Sequence, residues 1–194
     1  MLNEQRIINL LQPRRTPIIN IMIGAAQKAG RGLRRAFSEI EKLQVSKKGP
    51  ADYVSEADHR AEKTIYEELV AARPNYGFLM EESGIVEGTD NSNRWIIDPL
   101  DGTLNFLHGI PHFAISIALE RDRELFAGII YEPISDQLFW AEKGKGAWLN
   151  GSRIRVSSRS EMMQSIFATG IPFAGKDGHK LFLSQLKSVM EISA

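Results

Sequence analysis

Four acids stand where short apolar runs end. Glu81 and Glu82 follow GFLM, and Asp98 and Asp101 bracket Pro99-Leu100 after RWII. Hard divalent ions such as Mg²⁺ take carboxylate and carbonyl oxygens at octahedral positions and keep some of their waters. In a tight Asp-Pro-Leu-Asp turn, the carboxylates of Asp98 and Asp101 can converge while the Leu100 carbonyl points to the same place. The Gly102-Thr103 step that follows offers backbone N–H groups, and glycine permits close approach of an anion. Cation ligands and anion donors thus lie side by side within six residues, an arrangement suited to a metal-bound phosphate. The same residues also fit plainer roles. Asp98-Pro99 is a common β-turn opening. Ser55-Glu56-Ala57-Asp58 has a capping-box-like spacing, with an acid favourable near a helix N-terminus.

Other chemistries find less support. There is no G-x-S-x-G elbow, H-E-x-x-H pair, P-loop or complete G-x-G-x-x-G. Cysteine is absent, which excludes disulfides, thiolate catalysis and Cys-ligated metals. His59, His108, His112 and His179 lack metal-ligand spacing, so packing or solvent exposure is their expected role.

Elements able to position the acids can be read from periodicity. Ile18, Met22, Ala26, Ala29, Leu33, Phe37 and Ile40 recur in steps of three and four, predicting one helix from Pro17 to about Leu43. Arg31, Arg34 and Arg35 lie mostly off its apolar face, as a solvated basic side would. Ala57, Ala61, Ile65 and Leu69 predict a second helix, capped by Ser55 and running to about Ala72. Strands are expected at 77–80, 94–98, 113–120, 125–133 and 137–143, with one more in the GKGAWLNGSRIRVS segment and another at 165–171. Helical spacing returns near Leu183, Leu186, Val189 and Met190. Two helices, mostly antiparallel-looking strands and a final helix give an α+β class in a single domain over 1–194.

The chain has 194 residues, 43% of them apolar and 25% charged, with 24 basic and 24 acidic side chains. That is the composition of a soluble globular chain. Zero formal net charge argues against a dominant attraction to nucleic acid or membrane. The opening MLNEQRIINLLQPRRTP lacks the layout of a signal peptide, and IINIMIGAA is far too short to span a bilayer. A cytoplasmic location, without membrane or direct nucleic-acid partners, is the expectation.

WIIDPLDGTLNFLHGIPHFAISIAL strongly resembles the signature of the inositol monophosphatase family, W-[IV]-[IV]-D-P-[IL]-D-G-T-x-N-F. Three further segments occur in family order. DYVSEAD (52–58) is similar to D-x-V-[TS]-x-x-D. FLMEESG (78–84) is similar to the G-E-E-[ST] strand end, with Met80 where glycine is common. YEPISDQLFWAEKGKGAWLNG (131–151) is similar to Y-x-P, A-x-x-G-x-G-A and N-G. The match runs from about Pro17 to the C-terminus.

The resemblance implies a layered α-β-α-β-α sandwich and a phosphomonoesterase using two or more Mg²⁺ ions. It implies Glu81, Asp98, the Leu100 carbonyl and Asp101 as metal ligands, with Asp98 bridging two ions. Gly102 and Thr103 would hold the substrate phosphate through their backbone. Asp58 and Thr103 would orient and activate the attacking water, with Glu81 also catalytic. Lys47 falls where the family has a lysine near the active-site loop. The implied substrate is a small phosphorylated polyol or sugar, above all inositol monophosphate. Sibling sugar, nucleotide or histidinol phosphates are the alternatives, as is a catalytically weak member with a binding or regulatory role. The complete protein is expected to be a homodimer. The family's later R-x-x-G-[SA]-A and W-D-x-A-A-G segments, the second carrying a metal-ligand Asp, do not occur in these residues. A truncated chain of weak activity is therefore expected.

Overall fold

In the computed structural model the described residues are 15–39, 45–47, 53–172, 175 and 177–193, and the side chains of 45–47 and 53–55 fall outside that set. The chain divides into two compact units, Met1–Ser46 with Val54–Ile154 and Lys47–Tyr53 with Arg155–Ala194.

In the first unit, helix α1 (Pro17–Phe37) starts where the sequence places it. Thr16 accepts the Ile19 N–H at 3.4 Å, and Pro17 fits the first turn because its missing N–H would have had no partner there. Arg34 and Arg35 in the last turn oppose the negative end of the helix dipole. The short strands β1 (Val45–Lys47) and β2 (Tyr53–Ser55) pair as a two-stranded sheet. Helix α2 (Glu56–Ala72) begins directly after β2. The expected cap Ser55 and the residues Ile40 and Leu43 fall outside the described side chains.

Eight strands form the main sheet: β3 (Tyr76–Met80), β4 (Gly84–Val86), β5 (Asp90–Asp101), β6 (Ala114–Arg121), β7 (Glu124–Glu132), β8 (Gln137–Glu142), β9 (Gly146–Leu149) and β10 (Ser152–Ile154). Their order is β10-β9-β8-β7-β6-β5-β3-β4. All pairs are antiparallel hairpin neighbours except β3 and β5, which run parallel with Met80 beside Ile97. Strand β4 forms the edge turned out by that crossing and was not expected from the sequence. The GKGAWLNGSRIRVS segment is a hairpin of two strands, closed by a two-residue Asn150-Gly151 turn.

Both helices pack on one face of this sheet. Ile19, Met22, Leu33, Ile65 and Leu69 meet Trp95, Ile97, Ile115, Ile117, Leu119 and Ile129 in one buried cluster. Each such aliphatic side chain contributes about 1.5–3 kcal/mol by leaving water. Tyr131 joins the helix side. Its hydroxyl donates to Asp136 at 2.7 Å and accepts from Arg34 at 3.0 Å, and Arg34 also reaches the Pro133 carbonyl at 3.0 Å. Gly30 lies against this ring, where an added Cβ would come within 2.7 Å of Cε1. The architecture is thus α+β, as expected, with a helix layer on a sheet. No helix among the described residues is long and apolar enough to cross a membrane.

The described residues of the second unit include a 3₁₀ turn (Met162–Gln164) and the twelve-residue helix His179–Met190 expected from the leucine spacing. The strand expected at 165–171 is absent: these residues are irregular and mostly exposed. A lone β-prone run has no ladder to join there, and β propensity is realised only through cross-strand neighbours.

Because two hydrogen bonds at its hydroxyl fix the Tyr131 ring, Gly30→Ala should lower the unfolding free energy by about 1–3 kcal/mol. A urea titration would register this as a lower midpoint with an unchanged slope.

Candidate active site

The parallel pair explains how two distant acids meet. Strand β3 ends beside Ile97 of β5, and the Glu81 N–H continues the ladder by donating to the Ile97 carbonyl at 3.2 Å. Glu81 therefore comes to rest beside Asp98, at the carboxyl ends of parallel strands where open sheets commonly bind ligands. Asp98 lies opposite the buried Ile97 in the strand alternation, and so projects to the sheet face away from the helices.

The pairing is electrostatically costly. The Asp98 carboxyl is pushed from its ordinary 3.8 up to about 7, first by burial, then by the Glu81 charge, a shared hydrogen bond with Glu81 and the Asp101 charge. The Leu100 N–H, donating to Asp98 Oδ1 at 3.2 Å, opposes the rise. Asp98 thus keeps its proton up to about pH 7, in a position a divalent cation could take instead. The donor set consists of oxygens alone, which suits Mg²⁺, Ca²⁺ or Mn²⁺. Among the described residues no three His, Asp or Glu side chains gather into a ready-made cation cage. Two carboxylates with a carbonyl nevertheless fit Mg²⁺, which retains several waters.

Asp101 is exposed and reaches Asp98 through its charge. The register shifts between Asp98 and Asp101, so the stretch expected as a simple turn is a bulge closing strand β5. It leads into a short helix, α3 (Thr103–Leu107), which the sequence reading did not anticipate. Gly102 caps this helix at φ 92°, and a Cβ there would stand 3.0 Å from the His112 carbonyl oxygen. Both conformation and space thus call for glycine. Thr103 Oγ1 donates to the Leu100 carbonyl at 2.9 Å, which leaves that oxygen a second lone pair. Leu100 itself is fully buried, anchoring the bulge. His108 and His112 are exposed, in line with the sequence expectation.

Asp58 is buried in the first turn of α2, at 1% exposure. Lys47 belongs to β1 by its backbone, and its side chain lies outside the described residues. One turn beyond Asp58 on the same helix face is Glu62, a residue the sequence reading missed. Its buried carboxylate accepts the Glu82 N–H at 2.8 Å and the Ser83 hydroxyl. It thereby clamps the turn that carries Glu81. Glu82, buried beside it, also meets His59 at 3.7 Å. The available signal was an acid among Ala57, Ala61, Ile65 and Leu69 on an apolar face: a buried charge needs partners.

Two outcomes are expected from this geometry. Glu62→Ala leaves the Glu82 N–H and Ser83 hydroxyl without their acceptor and should cost about 1–3 kcal/mol in urea unfolding, whereas Glu62→Gln should restore most of it. Between pH 3.8 and about 7 the folded state holds an Asp98 proton that the unfolded chain has released. Without divalent ions, stability should therefore fall as pH rises through that window. Asp98→Asn should remove this slope and stabilise the metal-free chain above pH 7 by roughly 1–2 kcal/mol, after allowance for solvent screening. Thermal melts across pH in a chelating buffer would measure both.

Comparison with known proteins gives a consistent outcome. Residues 14–191 match the Inositol monophosphatase family. The chain is 58% identical to an inositol-1-monophosphatase of Caulobacter vibrioides, over 88% of this chain and 67% of the relative. It is 39% identical to the Nus factor SuhB of Vibrio cholerae, over 89% of this chain and 65% of that protein. Among solved structures, the extragenic suppressor protein suhB of Bartonella henselae superimposes with a TM-score of 0.89 at 53% identity, over 92% of this chain and 69% of that one. The chain thus spans about two thirds of the length of these relatives.

Proposed function

Since the chain belongs to the inositol monophosphatase family, we propose that it acts as a Mg²⁺-dependent phosphomonoesterase on inositol monophosphate. The observation that carries this reading is the hydrogen-bonded Glu81–Asp98 pair at the ends of parallel strands, one bulge away from the Gly102-Thr103 step. Glu81, Asp98, the Leu100 carbonyl and Asp101 would hold the cations, which supply charge neutralisation and a water of lowered pKa. The Gly102 and Thr103 N–H groups, at the start of a helix, would hold phosphoryl oxygens. Asp58, with Thr103, would orient the attacking water for in-line displacement. Lys47, where the family has a lysine near the active-site loop, would be a loop contact.

A second reading is favoured by the relatives named Nus factor SuhB, at 39–43% identity: a binding role that does not use the acids. The higher identity to proteins named inositol-1-monophosphatase, 52–58%, supports catalysis as the first reading.

Phosphate release from inositol 1-phosphate by the purified chain should require Mg²⁺ and should fall at least a hundredfold in Asp98→Asn, an effect of the ~3 kcal/mol scale that losing a charged group from an active site produces. Release that persists in Asp98→Asn or in a chelator would overturn the reading.

A further inference from the structure

The loop that carries Glu81 presents two acids in succession, and Glu81 is the one that hydrogen-bonds Asp98. Residues 81–83 form the tip of the β3–β4 hairpin, closed by the pairing of Met80 with Gly84. Glu81 is exposed, whereas the Glu82 side chain is only 2% exposed and turns toward α2, 3.7 Å from His59. We infer that Glu62 is a positioning residue for the cation site: by tethering residues 82 and 83 to α2, it decides that Glu81, and not Glu82, stands beside Asp98. The inference rests on the cation-binding reading above and deepens it.

The sheet alone holds this tip loosely. Strand β4 is three residues long, lies at the sheet edge and pairs with β3. Gly84, at φ 76°, supplies the left-handed residue that a three-residue hairpin loop needs at its exit. The first loop residue is fixed by one ladder bond, from the Glu81 N–H to the Ile97 carbonyl. The next two are held from α2. Glu62 Oε2 accepts the Glu82 N–H at 2.8 Å and Oε1 accepts the Ser83 hydroxyl, so both carboxylate oxygens are engaged by the loop. The tether has a fixed origin, because Glu62 is itself buried on the helix face that packs down through Ala61 and Ile65. Without it, the peptide between Glu81 and Glu82 can rotate, carrying the Glu81 carboxylate away from Asp98.

Position can be separated from charge by chemistry. Removing a group that orients a metal ligand from behind costs about tenfold to a hundredfold in metal affinity. Glutamine has the reach of glutamate. Its carbonyl can accept the Glu82 N–H while its amide donates to the Ser83 hydroxyl, which is free to turn and accept. Aspartate keeps the charge but stops about 1.5 Å short, the length of one carbon–carbon bond. A positioning role is therefore kept by Glu62→Gln and lost in Glu62→Asp, and a role of charge shows the reverse.

Calorimetric titration with Mg²⁺ alone, without substrate, tests the assignment at a temperature where circular dichroism shows each variant folded. Glu62→Ala and Glu62→Asp should each weaken Mg²⁺ binding by about tenfold or more, and Glu62→Gln should lose far less. A folded Glu62→Ala chain that binds Mg²⁺ as tightly as the unsubstituted one would reduce Glu62 to a stabilising contact and overturn the inference. Should Glu62→Ala fail to fold, the order of the other two decides: tighter binding by Glu62→Gln than by Glu62→Asp supports positioning, and equal affinities or the opposite order overturn it. If the unsubstituted chain binds no Mg²⁺, the cation reading fails and this inference with it.

Discussion

Two carboxyl groups held within hydrogen-bond reach of each other at the end of a sheet are a cost that the rest of the structure must bear. Glu81 and Asp98 meet because β3 and β5 run parallel with Met80 beside Ile97, so the next residue of each strand is an acid. Burial first, and then the charge and hydrogen bond of Glu81, raise the proton affinity of Asp98. A chain selected for stability alone would separate or neutralise them. Keeping both leaves a strained pair that a cation would relieve, which is the usual relation between perturbed ionisation and a functional site.

The surrounding elements hold this pair against its repulsion. The β3 end is fixed by its ladder to β5 and by Glu62, which reaches from α2 to the Glu82 N–H and the Ser83 hydroxyl. Helix α2 can supply that clamp because its other buried residues, Ala57, Ala61, Ile65 and Leu69, pack it down on the sheet with α1. On the β5 side, the buried Leu100 and the hydrogen bond from Thr103 to its carbonyl hold the bulge. Apolar burial on one face of the sheet thus offsets the electrostatic cost on the other.

This division of faces also accounts for the character of the site. Strand alternation sends Ile97, Ile115, Ile117, Ile129 and Tyr131 to the helices, and sends Asp98, Ala114, Ser116 and Glu132 the other way. A one-residue slip in β5 would bury the acids and expose the aliphatics, so the register is tied to the core. The bulge between Asp98 and Asp101 then lets a second acid turn to the open side after a short step.

Periodicity made most of the elements legible. The helix beginning at Pro17, the helix ending at Ala72, five central strands and the late helix could all be read from apolar spacing, because each buries one face and its period shows which. The acids themselves, and the DPLDGT stretch joining them, were also legible, since strand ends rich in carboxylates are chemically conspicuous. The short strand 84–86, the Thr103–Leu107 helix and the irregular 165–171 segment were not. The first two are three and five residues long, too short to show a period, and the third has no neighbouring strand to pair with. The sequence by itself therefore determined which residues could bind a cation and phosphate, and which faces of its elements would be buried. Only the tertiary structure decided that β3 lies parallel to β5, that Glu81 meets Asp98, and that Glu62 clamps the turn between them. Strand order and register are set by long-range pairing, and no local spacing in the chain encodes them.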